Sequence, residues 1–193
     1  MTQIILTIIV PAYNEKDSIS LIIDEINKKI IYSKQIIVVD DFSNDGTRDI
    51  IRNLSNIDKA VFHEKNLGKG AAIKSAIPHI KGSIVAIQDA DLEYNPEDLN
   101  KLTKEILDQT TNVAYGSRVL NKKRYGNSSF ISNFRIFGNH VLTILSNLFN
   151  KQKLTDAHTC YKVFKKEIFL KLDLKENDFA FCPEVNAKIS LLN

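Results

Sequence analysis

Apolar runs of β-branched residues alternate along this chain with segments of helical periodicity, and this rhythm limits the folds open to it. The runs at 4–10, 36–39 and 84–87 do not alternate between apolar and polar residues. Such runs are typical of strands buried on both faces in a parallel sheet. Shorter runs at 60–63 and 113–115 continue the series. We therefore predict an α/β fold with right-handed connections and a mostly parallel central sheet flanked by helices.

Carboxylates stand at the ends of two of these strands. Asp89 and Asp91 follow the run at 84–87, and side chains two positions apart on an extended segment share one face. They can therefore converge on one hard cation, with a diphosphate supplying further oxygens. Asp40 and Asp41 end an earlier strand. Carboxylates gathered at one edge of a sheet repel one another unless a cation or a donor-rich ligand offsets their charge, so we predict a binding site there. The alternative is that these residues are ordinary turn residues, because Asp is common in turns.

A glycine-rich segment precedes the third predicted helix. It reads NLGKG at 66–70 and lacks the spacing of a Walker loop. Its backbone N–H groups and Lys69 can lie near an anion at the helix N-terminus. On local grounds it is equally well read as a glycine-rich helix start with a solvated lysine.

Size and composition exclude several classes of protein. The 193 residues suit one domain, and the net charge of +3 does not indicate a nucleic-acid partner. No apolar run approaches the roughly 18–20 residues of a membrane span. Cys160 and Cys182 form neither a metal pattern nor a disulfide framework, so we interpret them as small core residues of a protein in a reducing cytosol. The last predicted helix runs to the final residue without a stop signal, and we expect the sequence to be cut there.

The second half contains a long apolar helix that allows two interpretations. The segment 130–149 is amphipathic and unusually apolar, and it follows a polar, basic stretch that includes Lys122, Lys123 and Arg124. It can pack over the core as an ordinary helix. Alternatively, it can lie at a membrane surface with its apolar side on lipid and the basic residues near anionic headgroups.

Ordered motifs give the chain a resemblance to a known family. They are VPAYNE at 10–15, VVDDFSNDGT at 38–47, NLGKG at 66–70 and QDAD at 88–91. In this order they resemble the family-2 glycosyltransferases. Three further segments are similar to the dolichol- or polyprenol-phosphate branch of that family: QDADLEY at 88–94, YGSR at 115–118 and TCYK at 159–162. The resemblance covers nearly the whole chain.

The resemblance implies a single domain with the nucleotide-diphospho-sugar transferase (GT-A) fold. Residues 1–118 would form the nucleotide-sugar-binding half, and 119–193 an acceptor-side half that is incomplete at its C-terminus. The implied reaction is inverting transfer of a hexose from GDP-mannose or UDP-glucose to a polyprenyl or dolichyl phosphate. The implied location is peripheral, at the cytoplasmic face of the membrane. Transfer to a saccharide hydroxyl and a non-catalytic nucleotide-sugar-binding fragment remain alternatives.

The resemblance also implies roles for individual residues. Asp89 and Asp91 would hold a divalent cation, Mg²⁺ or Mn²⁺, on the donor diphosphate. Arg118 and Arg135 would meet the donor diphosphate or the acceptor phosphate. The catalytic residues would be Asp91, Asp156 and Arg118. The nucleotide-sugar pocket would also include Pro11, Ala12, Tyr13, Glu15, Asp40, Lys69 and Ala90.

Asp156 separates two acceptor classes. A lipid phosphate is already anionic and needs positioning, which suits arginines. A sugar hydroxyl needs a general base, and Asp156 lies where other family members place an acid near the reacting sugar. Its other interpretation is a cap for the turn before Thr159. A receiver-type signalling domain is too short to account for the second half, and the dinucleotide-binding glycine pattern is absent after the first strand.

Overall fold

The computed structural model describes residues 3–117 and 130–192. The strands are β1 (Leu6–Ala12), β2 (Lys34–Asp40), β3 (Lys59–Phe62), β4 (Ile84–Ile87), β5 (Val113–Tyr115) and β6 (Lys162–Lys165). The helices are α1 (Ile19–Lys29), α2 (Thr47–Asn53), α3 (Lys69–Ala76), α4 (Asp98–Leu107), α5 (Phe130–Asn150), α6 (Lys166–Lys171) and α7 (Phe181–Ser190). Helices and strands thus alternate as the apolar runs predict.

The strands form one sheet in the order β3-β2-β1-β4-β6-β5. β1 pairs in parallel with β2 and β4, and β3 pairs in parallel with β2. β6 lies antiparallel between β4 and β5. The mostly parallel sheet with flanking helices is confirmed. The reversed direction of β6 was not predicted, because it depends on the path of the chain through α5 rather than on the strand's own residues.

Helices cover both faces of the sheet. On one face, α1, α2 and α4 pack against side chains such as Ile8 and Val10. On the other, α3, α6 and α7 pack against neighbours such as Ile9 and Val85. Every residue of β1 is buried, which confirms the prediction made from its uninterrupted apolar run. Burying a large aliphatic side chain such as Ile8, Ile9 or Val10 contributes about 1.5–3 kcal/mol to stability.

The third predicted helix, 71–80, starts earlier and ends sooner in the structure. α3 stops at Ala76, and Ile77–His79 continues as a 3₁₀ turn that contains Pro78. Proline has no N–H to donate to the preceding turn and clashes with it, so an α-helix cannot continue there.

In residues 138–150, the part of α5 whose side chains the structure describes, the apolar face points away from the core. A stripe of apolar side chains faces solvent, each between 37% and 79% exposed: Val141, Leu142, Ile144, Leu145, Leu148 and Phe149. On the inward side of this part of α5 lie the polar residues Thr143 and Asn147. Thr143 is buried and accepts a hydrogen bond from the Ala157 amide, and Asn147 exchanges two hydrogen bonds with the Leu154 backbone. We call the exposed set the α5 apolar stripe.

None of the helices within 3–117 and 130–192 has both the length and the apolar composition that a membrane span requires.

Candidate active site

A cleft of about 390 Å³ opens where β1, β2 and β4 end. The register pairs Ala12 with Asp40 and Ile9 with Ile87, so the loops that follow these strands leave the sheet at one edge. The lining residues are Pro11, Ala12, Tyr13, Glu15, Asp41, Asn66, Gly68, Lys69, Ala72, Asp89, Ala90, Asp91 and Phe179. Apart from Asp40, every residue predicted for the nucleotide-sugar pocket therefore lines this cleft.

Three non-glycine residues at this edge adopt left-handed backbone conformations. Asn14 has φ 56°, Phe42 has φ 68° and Leu92 has φ 61°, and each lies just beyond the end of β1, β2 or β4. Asparagine tolerates this region, but a leucine or phenylalanine there costs roughly 1–3 kcal/mol. Strain of this kind persists where the surrounding structure requires a particular path of the backbone, as at a binding site.

The loops after β1 and β2 hold each other through hydrogen bonds. The Asn14 amide donates to Ser43 Oγ at 2.9 Å, and the Glu15 amide donates to Thr47 Oγ1 at 2.7 Å. These bonds fix the backbone on both sides of the Tyr13–Glu15 wall of the cleft. Tyr13 remains 47% exposed, so its ring is available to a ligand.

Asp41 organises the glycine-rich segment. Its carboxylate accepts hydrogen bonds from the Leu67 amide at 2.8 Å and the Gly68 amide at 2.7 Å. Asp41 Oδ1 also lies 2.7 Å from His63 Nδ1, and His63 Nε2 lies 2.8 Å from Ser75 Oγ. A buried network thus ties the end of β2 to the start of α3 and sets the position of Lys69.

Asp40 lies behind the cleft rather than in its lining. Its side chain is fully buried and accepts a hydrogen bond from Arg48 Nε at 2.7 Å and another from the Ser43 amide at 3.3 Å. Asp40 was predicted to contact the base or ribose, but it is not among the residues that line the wall of the cleft. Asp41, which shares the motif, occupies that wall instead.

Lys69 and Asp89 form a largely buried ion pair. Lys69 Nζ lies 2.5 Å from Asp89 Oδ1, and the two side chains are 16% and 13% exposed. Burial alone would lower the pKa of Lys69, but the charge of Asp89 and the hydrogen bonds to Asp89 and Cys160 outweigh it and raise that pKa above its usual value. Lys69 therefore stays cationic, as the anion-binding interpretation of the glycine-rich segment requires.

Asp91 is the exposed partner of the acid pair. Asp91 Oδ1 accepts a hydrogen bond from the Glu93 amide at 3.0 Å, and the residue lines the cleft with Asp89. The described parts of the chain contain no cluster of three or more His, Cys, Asp or Glu that could hold a metal by itself. Two carboxylates at a cleft nevertheless fit a hard cation that takes its other oxygens from a diphosphate and water.

Of the three residues predicted for the acceptor side, only Asp156 has a described side chain. Asp156 is 6% exposed, in the segment between α5 and β6, and is not part of the cleft lining. Arg118 lies outside the described residues. Arg135 is in α5, and the position of its side chain is outside what the structure describes.

Phe179 is a lining residue that the sequence did not reveal. It is 80% exposed at the cleft, just before α7. A single aromatic residue ahead of a helix carries no motif. Its position depends on the folding of the 173–180 segment against the start of α3, where the Ala71 amide donates to the Asn177 carbonyl at 2.8 Å.

The contact between these two segments makes a stability prediction at Gly70. A Cβ there would lie 2.5 Å from the Glu176 carbonyl oxygen, whereas a Cβ at Gly138 in α5 would meet nothing within 4 Å. We expect Gly70→Ala to lower the free energy of unfolding by about 1–3 kcal/mol through overpacking. Gly138→Ala, the matched control, should raise it by about 0.5–1 kcal/mol through helix propensity. Urea unfolding measures both, and equal effects would contradict the close packing.

Sequence comparisons give matches across most of the chain. The glycosyl transferase family 2 model matches residues 7–173. A dolichyl-phosphate beta-glucosyltransferase of Trichomonas vaginalis is 29% identical over 200 residues, with 95% of this chain and 60% of that protein aligned. The UDP-N-acetylglucosamine–dolichyl-phosphate N-acetylglucosaminyltransferase of Methanococcus voltae is 26% identical, with 100% of this chain and 84% of that protein aligned. The chain thus spans about 60% of the length of the first relative.

Solved structures with the same fold include two proteins crystallised with UDP or a UDP-sugar. Glucosyl-3-phosphoglycerate synthase of Mycobacterium tuberculosis, in complex with Mn²⁺, UDP and glucosyl-3-phosphoglycerate, superposes with a TM-score of 0.70 at 19% identity. The alignment covers 94% of this chain and 63% of that one. TarS of S. aureus with UDP-GlcNAc gives a TM-score of 0.65 at 18% identity, covering 96% and 54%. The predicted GT-A fold is confirmed.

Proposed function

The chain belongs to glycosyl transferase family 2, and we propose that it transfers a hexose from a nucleotide-diphosphate sugar to a polyprenyl or dolichyl phosphate with inversion. The observation that carries the proposal is the cleft at the edge of the sheet, where the acid pair, the Tyr13–Glu15 wall and Lys69 come together. Relatives named as dolichyl-phosphate transferases support the acceptor.

On the donor side, we assign the nucleoside to the wall formed by Pro11, Ala12, Tyr13 and Glu15, with Ala90 opposite. Asp41 enters this set because it lines the cleft, whereas Asp40 would support the wall from behind through its pairing with Arg48. Neighbours solved with UDP, and the UDP-sugar named for the Methanococcus relative, favour a UDP-sugar over GDP-mannose.

At the diphosphate, Asp89 and Asp91 would hold a divalent cation, Mg²⁺ or Mn²⁺. A cation there would neutralise the departing nucleoside diphosphate as a Lewis acid. Lys69, fixed to Asp89 at 2.5 Å, adds positive charge at the same end of the cleft. The chain's own contribution is therefore to orient the diphosphate so that the anomeric carbon faces the acceptor.

On the acceptor side, a phosphate oxygen would attack the anomeric carbon from the face opposite the leaving group. An ionised phosphate needs no general base, and Asp156 is buried outside the cleft lining, which supports this acceptor over a sugar hydroxyl. Arg118 and Arg135 are the proposed phosphate-positioning residues. In this proposal 1–118 binds the donor and 119–193 forms the acceptor side.

The proposal is tested by acceptor choice. Purified protein is incubated with radiolabelled UDP-glucose or GDP-mannose, Mn²⁺ and either a short-chain polyprenyl phosphate or free saccharides. We expect labelled product that partitions into organic solvent with the polyprenyl phosphate. Product formed only with saccharides would reject the lipid acceptor. Calorimetric binding of UDP or GDP without turnover on any acceptor would support the non-catalytic alternative.

The α5 apolar stripe supports a peripheral contact with the membrane that holds such an acceptor. An apolar stripe along a single helix face, open to solvent, is typical of a partner or membrane contact. Its members at 141, 144/145 and 148/149 recur at the helical repeat, so they form one continuous surface. The core-packed interpretation of this helix predicts the opposite orientation.

Membrane contact is tested by replacing the two most exposed members of the stripe. Leu148 and Phe149 are 71% and 79% exposed. We expect the double variant Leu148→Ser, Phe149→Ser to bind anionic liposomes at least about 10-fold more weakly, because each loses apolar area that would enter the interface. Ile31→Ser, which changes a residue 77% exposed outside the stripe, is the matched control. Co-sedimentation unchanged in the double variant would reject the contact.

A further inference from the structure

Two cysteines meet at a place that the transfer reaction does not use. Cys160 precedes β6, and Cys182 is the second residue of α7, 22 positions later in the chain. Both are free thiols, and their Sγ atoms lie 3.2 Å apart. A disulfide requires about 2.05 Å, so a shift of roughly 1 Å closes the gap. We propose that Cys160 and Cys182 form a dithiol modification site that a hydroperoxide oxidises reversibly to an intramolecular disulfide.

Two lysines lie near the two sulfur atoms. The charge of Lys69 acts on both thiols, although Lys69 is itself paired with Asp89, whose charge acts in the opposite direction. Lys162, two residues after Cys160, is fully buried and donates to the Thr159 carbonyl, with its Nζ 5.2 Å from the centre of the Tyr115 ring. Cations beside a thiol favour the thiolate, which is the form that attacks an oxidant.

The contact between the two sulfur atoms favours a thiolate at Cys182. The hydrogen bond with Cys160 lowers the pKa of Cys182 in spite of its burial, and the charges of Lys162 and Lys69 act in the same direction, against the charge of Asp89. The N-terminus of α7 adds to this preference for negative charge. A thiolate that a peroxide oxidises to a sulfenic acid beside a second thiol can condense with that thiol to a disulfide.

The oxidation balances with one peroxide molecule. The thiolate attacks one peroxide oxygen, the O–O bond breaks, and the sulfur becomes a sulfenic acid while hydroxide leaves and is protonated to water. The remaining thiol attacks the sulfenic sulfur, the S–S bond forms and a second water leaves. A small dithiol reductant returns both thiols by exchange. Cys160 is partly exposed, so a small oxidant can reach the pair.

The cross-link would join β6 to the helix that borders the cleft. The segment just before α7 carries Phe179 on the cleft wall and accepts the Ala71 amide through the Asn177 carbonyl. Oxidation would therefore tie this wall to the sheet covalently. The site itself does not depend on the proposed transfer reaction, since it rests on the two sulfur atoms and their neighbours.

The test treats the reduced wild-type chain with a small excess of hydrogen peroxide and measures its intact mass without reductant. We expect a monomer lighter by two hydrogen atoms that has lost both titratable thiols, and recovery of both thiols with dithiothreitol. Retention of both thiols, or a product that carries added oxygen atoms or is a disulfide-linked dimer, would overturn the proposal.

Single-cysteine variants identify what an isolated thiol does here. Cys160→Ser and Cys182→Ser each keep one thiol and cannot form the internal bond. We expect peroxide to give them a sulfenic acid that dimedone traps, with the mass of one adduct, whereas the wild type should give no adduct. Equal dimedone labelling of wild type and variants would show that the second sulfur does not intercept the first, and would reject the site.

Discussion

Replacing Asp91 with asparagine should lower the transfer rate by at least about 100-fold while leaving the stability of the chain close to that of the wild type. Asp91 is exposed, and an asparagine Oδ1 can still accept the Glu93 amide, so the loop keeps its hydrogen bond. What is lost is one charged oxygen ligand at the proposed diphosphate site, and charge stabilisation at the leaving group is worth several kcal/mol. Initial rates with the preferred donor and acceptor measure the loss.

The variant Asp89→Asn distinguishes the roles of Asp89 and Asp91, because Asp89 also balances the charge of the largely buried Lys69. Lys69 would remain charged with its nearest counter-charge removed. We expect this variant to lose activity as Asp91→Asn does and also to lose about 3 kcal/mol of stability. Calorimetric titration with UDP, with and without Mn²⁺, should show weaker metal-dependent binding in both variants. Full activity of Asp91→Asn would contradict the assignment of the acid pair to the diphosphate.

The parts of this fold that the sequence predicts are those encoded by short stretches of residues. Uninterrupted apolar runs identify β1, β2 and β4, and the acids that follow them must lie at one edge because parallel strands end on the same side. This argument predicts a site from the acids at 40, 41, 89 and 91. The pocket residues at 11–15 were implied instead by the resemblance to the family-2 glycosyltransferases, and the strand ends alone do not identify them.

The remaining features depend on packing between distant segments. Asp40 and Asp41 are adjacent acids in one motif, and only the tertiary structure shows that the first turns to Arg48 and the second to the cleft. The direction of β6, the cleft position of Phe179 and the contact between the two cysteines likewise arise from how the second half folds back. The outward face of α5 could not be read from periodicity, because a helical repeat gives the stripe but not the side on which the core lies.

Asp41 is the residue whose removal should destabilise the donor half most. Its carboxylate oxygens accept hydrogen bonds from the Leu67 and Gly68 amides and contact the His63 ring. The Asp41 side chain is only 5% exposed. An asparagine at this position must present an NH₂ group to at least one of these donors and also removes the negative charge. Leaving a buried donor without an acceptor costs about 1–3 kcal/mol, and more where the lost acceptor was charged.

We therefore expect Asp41→Asn to lower the midpoint of urea unfolding strongly with little change in the slope, which reports stability rather than a change in the unfolded state. Asp49→Asn is the matched control, because Asp49 is 76% exposed and pairs with Arg52 on the surface, where an ion pair contributes at most about 1 kcal/mol. The same variant should bind UDP more weakly at temperatures where it is still folded, since the segment that carries Lys69 loses its anchor. A loss of stability no larger than that of Asp49→Asn would show that the His63 and glycine-rich contacts are not what holds the cleft in shape.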